Sequence, residues 1–132
     1  MDFLDRVIDY IEANVSLYAP MRVGILNDDD SIAIRPTPST PPESYLIGDR
    51  ARNFPFQVLA QHSKANIAYQ ALEAITEALD GLGNEAIASS DGSFVFVKCE
   101  VYTGPNFVEV TSRGKHIYTA IYQAELLMEK EV

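Results

Sequence analysis

The chain has 132 residues, 47% of them apolar, a formal charge of −9 from nineteen acidic and ten basic side chains, and a single cysteine, Cys99. That length fits one domain, residues 1–132, able to bury roughly two thirds of its unfolded surface; the lone cysteine excludes an internal disulfide and a multi-cysteine zinc site, and its apolar surroundings fit a reducing cytoplasm. The acidic excess opposes phosphate binding, since no basic cluster is visible; no apolar run approaches the ~20 residues of a membrane helix; and residues 1–10, with no basic stretch ahead of an apolar one, do not read as a secretion signal.

From Asp2 to Asn14, Phe3, Leu4, Val7, Ile8 and Ile11 recur every three to four residues, with Asp5, Asp9 and Glu12 between them. That spacing predicts an amphipathic helix, with Asp2 as its N-cap and Asp5 favoured by the helix dipole. Met21 to Leu26 and Ser31 to Arg35 are short apolar runs around Asn27-Asp28-Asp29-Asp30, a polar cluster that predicts a hairpin connection. From Pro36 to Asn53 the chain carries Pro36, Pro38, Pro41 and Pro42, and only Tyr45-Leu46-Ile47 looks able to pack. This reads as a long, mobile loop. Connections beyond roughly 12 to 15 residues tend to be functional, which makes it a candidate partner-binding segment, with a tolerated surface excursion as the alternative.

Phe54 to Gln61 alternates as a half-buried strand does, and Ser63 is placed to cap a second helix whose stripe is Ile67, Ala68, Ala71, Leu72, Ile75 and Leu79, stopped by Gly81. The last third predicts three antiparallel strands: Phe94 to Tyr102, Phe107 to Thr111, and a run from His116 to about Glu125. The closing run also fits a helical period, but its β-branched and aromatic start favours a strand. The assembled order predicts an α+β fold, an antiparallel or mixed sheet with both helices packed on one face. If Phe94, Phe96 and Tyr102 project from the other face while Val95, Val97 and Val101 meet the helices, that face is aromatic and suited to self-association; otherwise the aromatics cover the sheet locally.

Catalytic chemistry finds little support. His62 and His116 lack a motif, no Gly-x-Ser-x-Gly elbow occurs, and Gly81 and Gly83 follow a helix where a phosphate cradle would open one. Asp28-Asp29-Asp30 lacks the spacing of a calcium loop and reads as a solvated turn. The expectation is therefore no enzyme, no catalytic residue, no metal and no cofactor. Arg50 and Arg52 read as salt-bridge donors to a neighbouring acidic surface, each pair contributing ~0 to 1 kcal/mol. The candidate protein interface comprises Asp28, Asp29, Asp30, Tyr45, Arg50 and Arg52.

Four features together resemble the minor capsid and tail-terminator proteins of long-tailed bacteriophages and their prophages. They are the N-terminal helix, the pair of runs from Met21 to Arg35, Tyr45-Leu46-Ile47-Gly48-Asp49-Arg50 leading into Phe54-Pro55-Phe56-Gln57-Val58, and the Ser63 to Leu82 helix ending in Leu79-Asp80-Gly81-Leu82. The resemblance implies a non-enzymatic virion protein of the tail neck, assembled in the bacterial cytoplasm. It implies a ring, commonly of six copies, which caps the tail tube, joins it to the head connector and lets DNA pass without specific binding. Another head–tail joining or head-completion component is the nearest alternative. A small ligand-binding domain, with a polar cluster among Tyr45, Tyr69 and Tyr122, is the alternative from a different class.

Overall fold

Helix α1 (Phe3–Asn14) forms along the expected stripe, burying Phe3, Val7 and Ile11 and leaving Asp5, Asp9 and Glu12 in water. The structure, a computed structural model, describes residues 2–37 and 51–128. Asp2 occupies the N-cap position but makes no capping bond. Its carboxylate is taken instead by the Ser90 amide at 3.0 Å, the Ser90 hydroxyl at 2.6 Å and the Ser89 hydroxyl at 3.1 Å, which fixes the helix start to a distant loop.

The remaining elements are β1 (Met21–Val23), β2 (Ser31–Pro36), β3 (Ala51–His62), α2 (Ala65–Leu79), β4 (Phe94–Val110) and β5 (His116–Met128). They build one mixed sheet in the order β1-β2-β3-β5-β4. The expected hairpin is not there: β1 pairs parallel to β2, with Met21 beside Ile32 and Val23 beside Ile34. Three strand residues advance only ~10 Å, so residues 24–30 can carry the chain back to the starting end. Gln61 holds that return by donating to the Asn27 carbonyl at 2.8 Å and the Asp29 carbonyl at 2.6 Å. All other pairings are antiparallel.

The last third makes two strands and not the expected three. Thr103-Gly104-Pro105-Asn106 does not turn the chain; β4 runs through it with register shifts against β5 between Val101 and Thr103 and between Thr103 and Asn106. An outermost strand tolerates this, because Pro105 needs no amide partner on the open side. The closing run is a strand, as expected, and extends to Met128. Ser63 does not cap α2; Lys64 holds that position without a side-chain cap, and the Ser63 amide donates to Asp30 Oδ1 at 3.1 Å. Gly81, at φ +83, ends the helix in the left-handed region that favours glycine.

Both helices cover one face of the sheet, where Ala68, Leu72, Ile75 and Leu79 of α2 meet Val58, Ala60, Ala120 and Tyr122. Phe3 is the hub beneath α1, its ring 5.0 Å from Phe54, 5.9 Å from Phe56 and 5.3 Å from Phe94, all edge-on. Phe94 and Phe96 therefore point toward the helices and Val95 points away, the reverse of the expectation for these residues, while Tyr102, the third aromatic named with them, is exposed. Two phenylalanines remove more apolar area from water than two valines, and the gap beside Phe3 takes them.

Candidate interaction surfaces

The acidic turn lies where β2 begins, β3 ends and β5 begins. Asn27 Oδ1 accepts the Asp29 amide at 2.8 Å and the Ser31 hydroxyl donates to the Asp29 carbonyl at 3.0 Å, so the turn is held by its own side chains. Asp30 turns inward: Lys115 Nζ lies 2.7 Å from Oδ1 and His62 Nε2 3.3 Å from Oδ2. The Lys115 hydrogen bond holds the Asp30 carboxyl below the usual carboxylate range, against the opposing effect of desolvation. Tyr18 closes the cluster, its ring edge-on to His62 at 4.8 Å and its hydroxyl donating to the Gln61 carbonyl at 2.8 Å. Asp30 is thus a tie between three segments, whereas Asp28 and Asp29 stand exposed.

Arg52 is exposed at the start of β3. Ten residue steps of extended chain take it to His62, so it sits ~33 Å from the acidic turn, at the opposite end of the sheet. Tyr45, Arg50 and the centre of the Pro-rich loop, residues 38–50, lie outside the described residues.

A polar chain crosses the face away from the helices. Arg35 Nε donates to Gln57 Oε1 at 2.9 Å, Gln57 Nε2 to the Thr119 hydroxyl at 2.8 Å, and that hydroxyl to the Val58 carbonyl at 2.9 Å. Asn106 Nδ2 of β4 donates to the Thr119 carbonyl at 3.2 Å. These bonds link four strands through side chains.

The sheet edges were not among the sequence candidates. The outer side of β4 is covered in its first half: the Gly81 amide bonds the Cys99 carbonyl at 2.9 Å, the Cys99 amide the Leu82 carbonyl at 3.2 Å, and the Glu85 amide the Phe96 carbonyl at 2.9 Å. The Val101 amide ends this cover on Asp80 Oδ1 at 2.9 Å. Beyond it, from Tyr102 to Val110, no backbone group among the described residues pairs with the outer side. Tyr102, Phe107, Val108 and Val110 are exposed there, and Phe107 and Tyr69 both rest edge-on against Tyr118. The one sequence signal was Phe107-Val108 beside Val110, apolar residues on both faces of a strand that has only one covered face.

The chemistry-bearing side chains are engaged elsewhere. Burial pushes the Cys99 thiol up to about 12, with Asp80 and Glu100 adding to the effect, so it is a core residue. Tyr122 is buried with its hydroxyl 2.7 Å from that of Thr76, while Tyr69 is at the surface, so the two share no polar cluster. An open cleft of about 630 Å³ lies between the C-terminal ends of the helices, lined by Tyr10, Asn14, Glu77 and Asp80 among others. Among the described residues no three His, Cys, Asp or Glu side chains are grouped to hold a metal. No helix is long and apolar enough to cross a membrane.

A search of curated proteins gave no match. The family described as bacteriophage tail terminator protein matches residues 10–127, a span that takes in α2, β1 to β4 and nearly all of β5. The chain belongs to the bacteriophage tail terminator family and is a structural protein of the phage tail.

Proposed function

We propose that the protein closes as a ring on the end of the completed tail tube, stops further growth there, and offers its other side to the head connector. The family match over residues 10–127 supports this reading, and six copies is the ring size that the resemblance implies. The charge of −9 supports it, because a passage lined by such subunits gives DNA few attractive phosphate contacts. In this reading the Pro-rich segment from Pro36 to Asn53, with Tyr45 and Arg50, contacts a neighbouring copy or the tube. Asp28, Asp29 and Arg52 add polar contacts at the two ends of the sheet, while Asp30 serves the fold.

Light scattering over a range of concentrations, with and without assembled tail tubes, tests the reading. The expected result is a ring mass, either free or appearing only with tubes, together with arrest of tube elongation when the protein is added. A monomer that ignores tubes and leaves elongation unchanged would overturn it.

A further inference from the structure

Among the described residues no strand lies outside β1 or outside the Tyr102 to Val110 stretch of β4, and at β1 the Met21 amide donates to Glu12 Oε2 at 3.1 Å. Following the registers across the sheet, Met21 lies beside Ile32, Ile32 beside Ala60, Ala60 beside Tyr118, and Tyr118 beside Phe107. The next row runs Arg22, Ala33, Leu59, Thr119, Asn106. The short strand β1 and the uncovered half of β4 are therefore the two ends of the same rows, and they run in opposite directions.

We propose that these edges form one head-to-tail interface, in which β1 of one copy pairs antiparallel with the Tyr102 to Val110 stretch of β4 in the next copy. This deepens the ring reading above and rests on it. The occupant is a second copy because exposed apolar side chains gather at both edges: Val23 and Ile25 (76% exposed) at one, Tyr102 (72%), Phe107 (53%), Val108 and Val110 at the other. An open apolar strand edge is a liability unless another strand covers it. Charge selects which edges meet. Arg22 is exposed on β1 and Glu109 on the open half of β4, so β4 against β4 would oppose carboxylates and β1 against β1 would oppose guanidinium groups. Unlike edges attract, which makes the contact heterologous. A heterologous contact of this kind, repeated about a rotation axis, closes as a ring.

Disulfide trapping in the full-length chain tests this, with Arg22→Cys and Asn106→Cys placed in one row, both at exposed positions. Cys99 is buried and stays silent. Mild oxidation of the double variant, under conditions where the parent forms rings, is expected to give a reducible ladder of multiples ending at the ring mass, with neither single variant linking to itself. Rings that form without a ladder would overturn the edge pairing and leave the capping function standing. A single variant that links into dimers would also overturn it, because it marks a two-fold contact. Monomers that ignore tubes would overturn both.

Discussion

Lys115 binds the Asp30 carboxylate at 2.7 Å and lowers its proton affinity relative to the unfolded chain, where an aspartate titrates near ~4. A depressed carboxyl stabilises the fold fully above that unfolded value and loses its contribution as pH falls through the lower folded one. Asp30→Asn is therefore expected to lower Tm at neutral pH by roughly 4 °C, from a loss of about 1 kcal/mol in a half-exposed, charge-assisted cluster. The gap from the parent should narrow as pH falls below the unfolded value of ~4 and close once the folded carboxyl is protonated. Melting curves across that range check it, and a gap that persists in acid would show that Asp30 acts by shape and not by charge. Ser90 lowers the Asp2 carboxyl and Ser93 that of Asp91, so these groups too weaken the fold on the acid side. From sequence alone Asp30 looked the same as Asp28 and Asp29. Its partners, His62 and Lys115, come from segments far along the chain that only the sheet brings together.

At the scale of elements, the helices were legible because their apolar stripes repeat over three or four turns, long enough for the period to exclude a strand. Their caps were not, because capping competes with tertiary partners: the Ser90 group took Asp2, and Asp30 took the Ser63 amide. The parallel pairing of β1 was hidden for a similar reason, since a polar cluster between two short apolar runs looks like a hairpin whichever way the second run lies. Gly104-Pro105 reads as a turn in any strand but an outermost one. What these elements share is the anchorage of α1 by Phe3, which meets rings from β3 and β4. Phe3→Ala removes that hub and is expected to cost about 3–5 kcal/mol, against well under half of that for the neighbouring, half-buried Leu4→Ala. Urea titrations measure both. Equal losses would mean that α1 is held by its helix–helix contact and not by the aromatic hub.

The molecule carries nineteen acidic side chains against ten basic ones. Arg6 lies on Asp9 at 2.9 Å, Arg35 on Gln57 and Lys115 on Asp30, while Arg22 is in β1, Lys98 in β4, Lys64 just before α2 and Arg113 in the turn before β5. Binding to duplex DNA is driven by the release of counterions as basic side chains meet consecutive phosphates, and it needs several such side chains on one surface. The excess carboxylates repel the backbone at low salt, where screening is weakest. The protein, and the ring it is proposed to form, should therefore leave duplex DNA unretarded in a mobility-shift titration, even at an ionic strength of ~0.01 M, where the Debye length reaches ~30 Å. Retardation that fades as salt rises would show a basic surface assembled between copies, and with it a ring that grips the DNA it was expected to let pass.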